Sequence, residues 1–278
     1  MRHFLTEKTR LKIHCWGGFG SQLNCLGFAL EIHQKYPNKK LDLFFHSSGV
    51  TRREIEIQEF IPSFFNYYFI DDFSNKTIYG GNKSKFRKLI NNLLALTKFV
   101  VYPTRNEDLS KIKFWTLSSR GHYSYFAFSQ NVIADLALKL GVLQENLITY
   151  PQIIHFRLGD LLEIEKGHIS GERVLKFLCG IQNKRWLVLT DSPSEAKSLL
   201  EYNDCSLQFI DFLSVSPQEV LIAGYASSVF VGTNSKLSIW IAILRVHFQG
   251  GETFLPLTLQ GTINQLLSNK KSSTLRFY

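Results

Sequence analysis

From residue 153 onwards, short apolar runs alternate with segments of helical spacing, and this pattern constrains the fold more than any other feature. Strands are predicted at 153–157, 186–190, 207–211 and 228–232, and the helices that follow them at 171–180, 193–202, 216–225 and 235–245. Regular alternation of strands and helices with short loops predicts a doubly wound parallel sheet.

The start of the chain carries the same kind of pattern once more. Strands are predicted at 11–15 and 41–46, and the segment between them has helical apolar spacing that ends at Pro37. A length of 278 residues suits two compact α/β domains. We place the boundary in the hinge-like segment before residue 153, which predicts an N-terminal domain at 1–148 and a C-terminal domain at 149–278.

Composition and the first residues exclude several classes of protein. Hydrophobic residues make up 45% of the chain, yet no uncharged run reaches the roughly 18 residues that a membrane-spanning helix needs. The first residues contain no hydrophobic stretch of the kind found in a secretory signal. Because the cysteines show neither CxxC spacing nor the density of a disulfide framework, we expect them to be reduced core residues. These features predict a cytoplasmic protein.

Nearly all of the net charge of +9 lies in the first half of the chain. Between Asp72 and Glu107 there are several Lys and Arg residues but no acid, and the apolar residues among them have amphipathic spacing. We interpret segment 76–105 either as a surface helix on the protein's own core or as a peripheral contact with an anionic membrane. Nucleic-acid binding is not expected, because the basic residues lack the accompanying aromatic and glycine-rich patterns.

Two glycine-rich or charged turns follow predicted strands. The first contains Gly17, Gly18, Phe19, Gly20, Ser21 and Gln22, where backbone amides at a helix N-terminus can meet a phosphate. A plain tight turn explains the same residues. The second contains His155, Arg157, Gly159 and Asp160, in which an arginine fork suits a diphosphate. The alternative is an Arg157–Asp160 ion pair that closes the turn.

Two further strand ends carry polar residues. Asp191 follows the strand at 186–190, where an acid commonly accepts hydrogen bonds from a ribose or a base. It alternatively caps the helix that begins at Pro193. After the strand at 228–232, small polar residues can present hydroxyl and amide groups to a phosphate. Capping of the following helix by Thr233 or Asn234 explains part of the same pattern. The candidate ligands at this junction are Asn234, Ser235 and Ser238.

Taken in order, these four blocks resemble the α-1,2-fucosyltransferases of bacteria and animals, a glycosyltransferase family 11-like pattern that covers nearly the whole chain. The last block is the most specific, with Asn234, Ser235, Ser238, Trp240, Ala242 and Leu244 matching Asn-Ser-x-x-Ser-x-Trp-x-Ala-x-Leu. Two positions depart from the family pattern. Leu158 replaces the second arginine of His-x-Arg-Arg-Gly-Asp, and Ser21 replaces an asparagine in the glycine-rich turn.

The resemblance implies a fold of the GT-B type, with two Rossmann-like domains whose parallel sheets face across a cleft. It implies an inverting glycosyltransferase that moves fucose from GDP-fucose to a galactose-type hydroxyl of a glycan, in surface polysaccharide or O-antigen synthesis. Arg157 and His155 are the implied catalytic residues. Donor-binding roles are implied for Gly18, Phe19, Gly20, Gln22, Asp160, Asp191, Asn234, Ser235 and Ser238.

No metal or cofactor is expected, because arginine and backbone amides can take the leaving-group charge and the sequence has no Asp-x-Asp pair. The basic first domain suggests a lipid-linked acceptor and peripheral contact with the inner membrane face. Two alternatives stay open. One is the same fold with another sugar nucleotide, and the other is a non-catalytic nucleotide- or glycan-binding partner in polysaccharide assembly.

Overall fold

The computed structural model describes most of the chain. The described residues are 10–49, 51–73, 93–103, 106–113, 115–144, 152–159, 169–181, 185–201, 207–267, 270 and 272–278. The chain divides into two compact units, Met1–Leu136 and Ala137–Tyr278. The boundary predicted at 148/149 lies outside the described residues, so that position stays a prediction.

The first unit is built on a five-stranded sheet with the order β3-β2-β1-β5-β4, in which every pair of neighbours is parallel. A long helix, α1, spans Phe19–Lys35. Helix α2 spans Gln130–Lys139, and the division of the chain into two units falls within it. Short 3-10 turns lie at Gln58–Phe60 and Asn106–Lys111. The strands are β1 Arg10–Trp16, β2 Lys40–His46, β3 Asn66–Ile70, β4 Val100–Val101 and β5 Ser118–Arg120.

Strand β1 forms because its apolar residues alternate. Leu11, Ile13 and Cys15 are buried on one face, whereas Lys12 and His14 point to the other. Helix α1 is buried along most of its length. Gly27 allows this close packing, since a Cβ at that position would lie 3.0 Å from the ring of Phe128.

The second unit is built on a six-stranded parallel sheet with the order β11-β10-β9-β6-β7-β8. Its strands are β6 Gln152–His155, β7 Arg185–Leu189, β8 Gln208–Leu213, β9 Val229–Gly232, β10 Glu252–Leu255 and β11 Leu275–Phe277. The helices are α3 Gly171–Cys179, α4 Pro193–Leu200, α5 Pro217–Ala226, α6 Lys236–His247 and α7 Gln260–Leu266, and a 3-10 turn spans Leu257–Leu259.

Both units therefore contain a parallel α/β sheet, which confirms the predicted fold class. In the second unit the chain runs from β6 through β7 to β8 and then returns to place β9 on the other side of β6. The strand order reverses between β6 and β9. Ligands of open α/β sheets bind outside the carboxyl ends of strands at such a reversal.

The structure also tests the predictions about the cysteines and about membrane-spanning helices. Cys15 and Cys25 are free and buried, as predicted, but Cys179 is in a disulfide, so the prediction of a reduced thiol was wrong there. Spacing along the chain does not reveal which thiols folding brings within bonding distance. Within the described ranges, no helix is both long enough and apolar enough to cross a membrane.

Candidate functional site

The candidate site of the second unit lies where β6 and β9 end side by side. His155, the last residue of β6, is paired in register with Gly232, the last residue of β9. Thr233 joins the two strand ends, because its N–H and Oγ1–H both donate to the carbonyl of His155, at 3.2 and 3.0 Å. The same Oγ1 accepts a hydrogen bond of 3.0 Å from the N–H of Arg157. The backbone that carries Arg157 is thus fixed at the reversal of strand order.

The side chain of Arg157 is oriented by Asp191, which follows β7. Arg157 Nη1 lies 2.9 Å from Asp191 Oδ2, and the two side chains are 28% and 27% exposed. The other oxygen, Oδ1, accepts a hydrogen bond of 2.9 Å from the N–H of Leu158. Gly159 has a φ of +26°, and a Cβ there would collide with Oδ2 of Asp191. Glycine is needed at this position because a side chain would displace the carboxylate.

Leu158 belongs to the core of the second unit. It is fully buried in a cluster that contains Ile154, Phe156 and Trp186. Since a charge buried without a partner is strongly unfavourable, an arginine could not replace this leucine without rearrangement. Leu158 therefore contributes core packing at this position of the motif.

His155 is buried and its Nδ1 lies 2.8 Å from Oγ of Ser238 in the first turns of α6. Burial lowers the pKa of His155 to about 3, and the nearby charge of Arg157 acts in the same direction. The imidazole is therefore neutral near pH 7. Among the residues that the structure describes, the ring has Ser238 as its hydrogen-bond partner, so Nε2 is available to a ligand.

The N-terminus of α6 is capped by Ser235, whose Oγ accepts a hydrogen bond of 3.2 Å from the N–H of Leu237. The alternative that Thr233 or Asn234 caps this helix was wrong. Thr233 instead donates hydrogen bonds to the carbonyl of His155, and Asn234 lies one residue before the N-cap. Asp191 does not cap α4 either, because the N-cap there is Ser192. Asp160 lies outside the described residues, so its predicted contact with Arg157 stays a prediction.

The glycine-rich turn of the first unit is held by internal contacts. Gly17 has a φ of +99°, and Gln22 is buried, with its Nε2 donating to the carbonyls of Gly17 and Glu54 at 3.1 and 2.6 Å. Oε1 of Gln22 accepts from the N–H of Glu56 at 2.8 Å. The amide of Phe19, at the start of α1, donates to Oε2 of Glu56 at 3.0 Å.

These contacts bear on the four residues predicted to bind the donor from this turn. Gln22 orders the loop, and an anion at the amide of Phe19 would have to displace the carboxylate of Glu56. Gly18 is the N-cap of α1, and Gly20 lies in its first turn. Donor binding by Gly18, Phe19, Gly20 and Gln22 stays a prediction.

No protein-family model and no curated protein matches this chain. The similar solved structures include the E. coli heptosyltransferase WaaC with ADP-2-deoxy-2-fluoro heptose, at 11% identity and a TM-score of 0.47, covering 97% of this chain and 92% of that chain. The NodZ α-1,6-fucosyltransferase co-crystallised with GDP is 10% identical, with a TM-score of 0.45, covering 86% and 93%. The E. coli ADP-heptose lps heptosyltransferase II is 14% identical, with a TM-score of 0.44, covering 97% and 90%. At these identities the similarity concerns the fold, and residue roles rest on the geometry of this chain.

Sequence reasoning missed a second polar cluster, which lies on the sheet of the first unit. His14 in β1, His46 at the end of β2 and Asp72 after β3 form a chain of hydrogen bonds. The available signal was the histidine at a polar position of each of the two strands predicted at 11–15 and 41–46. The third member could not be found, because β3 was not predicted.

Proposed function

We propose that this chain is a sugar-nucleotide-dependent glycosyltransferase whose second unit binds the nucleotide diphosphate. The observation that carries the proposal is the ion pair of Arg157 with Asp191, at the point where the order of β6 and β9 reverses. The partly exposed guanidinium is permanently charged. An ion pair with a single carboxylate oxygen fixes its direction, which suits it to a second, transient anion.

In the proposed reaction, Arg157 binds the β-phosphate and neutralises the charge that develops as the bond between the sugar and GDP breaks. Neutral His155 donates Nε2–H to a phosphate oxygen when its Nδ1 accepts from Ser238. The first turn of α6 adds backbone amides beside Asn234 and Ser235, at the positive end of a 12-residue helix. The three kinds of donor lie on adjoining strand ends.

We further propose GDP-fucose as the donor and a galactose-type hydroxyl of a glycan as the acceptor, with inversion at the sugar carbon to an α-1,2 linkage. Support comes from the order of the four sequence blocks and from Ser238 and Trp240, which are buried at the start of α6. The setting is synthesis of a surface polysaccharide or O-antigen. Membership of the α-1,2-fucosyltransferase family is part of this proposal.

The burial of Leu158 supports a second candidate function, in which the donor is a different sugar nucleotide. Because Leu158 is part of the core, the family's second arginine contact to the donor has no counterpart at this position. The same fold with another sugar nucleotide is therefore the second candidate. A thermal-shift comparison of GDP, UDP, dTDP and CMP separates the two, because a ligand at 100 times its Kd stabilises by about 2.7 kcal/mol.

The direct experiment measures GDP release from GDP-fucose with and without a galactose-ended oligosaccharide. We expect acceptor-dependent release that is unchanged by EDTA, since the proposed mechanism places arginine and amide donors on the leaving group and needs no metal. Turnover of a different sugar nucleotide would overturn the donor assignment. A wild-type protein that binds none of these four nucleotides and does not bind ADP would overturn the enzymatic proposal as a whole.

We propose that the first unit also contacts an anionic membrane surface, where a lipid-linked acceptor would be found. Much of segment 76–105 lies outside the described residues, but its end carries large exposed apolar side chains, with Leu96 79% exposed. Trp115 Nε1 donates to the carbonyl of Thr97 at 3.1 Å and so joins the neighbouring segment to it. The exposed members are Leu93, Leu96, Phe99, Tyr102, Trp115 and Leu117.

Vesicle co-sedimentation tests this contact. We expect binding to vesicles that contain phosphatidylglycerol and much weaker binding to pure phosphatidylcholine, because the segment is cationic. Leu96→Ser should weaken binding, whereas Leu138→Ser, on an equally open position of α2 (69% exposed), should not. Equal binding by the two variants and the wild type would contradict the assignment of this surface.

A further inference from the structure

In the sheet of the first unit, the strand order reverses between β1 and β5. The chain runs from β1 through β2 to β3 on one side, and β4 and β5 lie on the other side of β1. Arg120, the last residue of β5, is paired in register with His14 near the end of β1. Because paired residues of parallel strands point to the same face, both side chains lie together at the reversal. Open α/β sheets bind ligands outside the carboxyl ends of strands at such a place.

Arg120 has hydrogen-bond donors that the described part of the chain does not use. The residue is half-buried, and its Nε is buried without a hydrogen-bond partner in the described residues. Ser118, which points to the same face two residues earlier, also has a buried hydroxyl without a described partner. A guanidinium is permanently charged, and a charge that is partly withdrawn from water is unfavourable unless it is paired. Arg120 therefore suits a negatively charged ligand.

Three hydrogen-bonded side chains fix the tautomer of the neighbouring His14. Nδ1 of His14 lies 2.9 Å from Nε2 of His46, and Nδ1 of His46 lies 2.8 Å from Oδ2 of Asp72. Partial burial would raise the pKa of Asp72, but its hydrogen bonds to His46 and Ser48 lower it, so the carboxylate is ionised near pH 7 and only accepts. His46 must then donate from Nδ1, and its Nε2 accepts from Nδ1 of His14.

Both imidazoles are neutral near pH 7. Burial lowers the pKa of His14 to about 3, and the positive charges around it, that of Arg120 first, act in the same direction. Burial also lowers the pKa of His46, in spite of the opposing effect of Asp72. Nε2 of His14 consequently carries a lone pair, and this nitrogen has no hydrogen-bond partner within the described ranges.

The two unused groups are a charged donor and a neutral acceptor on the same face. A bare anion would satisfy the guanidinium of Arg120, but the lone pair of His14 would repel it. A sugar acid satisfies both groups, because its carboxylate matches the guanidinium fork and its hydroxyls can donate to an imidazole. Since His14 and Arg120 are paired residues of adjoining strands, the carboxylate and the hydroxyl should lie on neighbouring carbons, as they do in a hexuronic acid.

We propose that the first unit binds a sugar acid at the junction of β1 and β5. Arg120 binds the carboxylate, and Nε2 of His14 accepts a hydrogen bond from the neighbouring hydroxyl. The exposed Lys12 lies on the same face and adds positive charge. As a determinant of the acceptor, this inference rests on the proposed glycosyltransferase function, and it then identifies the acceptor as an acidic glycan.

Titrations followed by ligand-observed NMR compare methyl glucuronide with methyl glucoside, in which a hydroxymethyl group replaces the carboxylate. We expect the Kd of the glucuronide to be lower by at least about 10-fold, because a charged hydrogen bond is gained. Arg120→Gln should remove this difference. Lys40→Gln, at the exposed first residue of β2 and thus at the opposite end of the sheet, should keep it. Equal Kd values in the wild type would overturn the inference, and tighter binding of glucose 6-phosphate would overturn the carboxylate assignment.

Imidazole ¹⁵N NMR of the wild type gives a readout that needs no variant. The free protein should show His14 protonated at Nδ1 and unprotonated at Nε2 at pH 7. Methyl glucuronide should shift the Nε2 signal of His14 and leave the signals of His33, which stacks on Phe64, in place. Protonation at Nε2 in the free protein, or a His14 signal that the glucuronide does not move, would overturn the inference. Failure to bind GDP would count against the proposed function alone, since these titrations contain no nucleotide.

Discussion

Arg157 and Asp191 meet across the ends of two neighbouring strands, with Nη1 2.9 Å from Oδ2. Both side chains are partly exposed, and an ion pair of this kind contributes only about 0–1 kcal/mol to stability. Its effect on orientation is larger, because the same carboxylate also fixes the N–H of Leu158. Asp191 therefore orients the side chain of Arg157, and its predicted contact with the ribose or base of a donor stays a prediction.

Asp191→Asn should lower kcat/KM by about 10-fold, since a neutral amide orients the guanidinium less firmly and about 1.4 kcal/mol of transition-state stabilisation is at stake. The free energy of unfolding should change by less than about 1 kcal/mol. Steady-state kinetics and urea unfolding check the two parts. The exposed pair of Lys197 and Glu201 provides the control, and Glu201→Gln should change neither quantity. A normal kcat/KM for Asp191→Asn would show that Arg157 needs no such support.

Gly159→Ala should also lower kcat/KM, in this case through a steric clash. The new Cβ would collide with Oδ2 of Asp191, and the φ of +26° is unfavourable for alanine. We expect a loss of activity at least as large as that of Asp191→Asn. Gly261→Ala is the control, because nothing lies within 4 Å of its new Cβ. Since Gly261 is in a helix, this variant should raise the free energy of unfolding by about 0.5–1 kcal/mol. Full activity of Gly159→Ala would mean that the turn relaxes without cost.

His155 should make folding sensitive to acid. Its pKa is about 3 in the folded protein and about 6.5 in the unfolded chain, so between these values the unfolded chain binds a proton that the folded protein does not. Stability should fall as the pH falls through this window, by about 1.4 kcal/mol per pH unit for this group. Urea unfolding between pH 6 and pH 4.5 measures the slope. His155→Gln should have a smaller slope by that amount, and identical slopes would contradict the assignment.

Arg245 should be a major contributor to the stability of the second unit. It is buried, and Nη1 donates to the carbonyls of Gly224, Tyr225 and Ser227 at 2.7 to 2.8 Å, at the C-terminal end of α5. Burial lowers its pKa to about 10, so it stays charged at neutral pH. Arg245→Met removes the guanidinium from all three carbonyls, of which, within the described residues, only that of Gly224 also accepts from the hydroxyl of Ser227, and it should cost about 3–5 kcal/mol by urea unfolding. The exposed Arg276→Met should stay within about 0.5 kcal/mol, and equal effects would contradict this role.

Much of the architecture could be predicted because apolar periodicity is strong where strands are buried. The predicted helix at 193–202 and strand at 186–190 correspond to α4 and β7, with ends that differ by one or two residues. Strand β3 could not be predicted, because it lies at the sheet edge and its side chains from Asn66 to Phe69 are exposed rather than alternating. Strands β4 and β5 are too short to show an alternation of apolar and polar residues.

The common location of His155 and Arg157 at one strand end was predictable, because a single motif contains both residues. The partner of Arg157 was not, because Asp191 lies on a different strand and nearness in sequence favoured Asp160 instead. The polar cluster of His14, His46 and Asp72 in the first unit was missed for the same reason, since its members lie on or just after three different strands. Tertiary pairing of polar groups depends on sheet order, which local patterns do not specify.

Isothermal titration of GDP into the wild type and into Arg157→Gln tests the central claim most directly. A charge-assisted hydrogen bond to phosphate contributes about 1.5–3 kcal/mol, so we expect the Kd to rise by about 10- to 150-fold. Arg185→Gln, at the exposed first residue of β7 and thus at the opposite end of that strand from Asp191, should leave the Kd unchanged. The variant should remain folded, because Arg157 is partly exposed and its backbone bond to Thr233 is retained. Wild-type affinity for GDP in a folded Arg157→Gln protein would contradict the account.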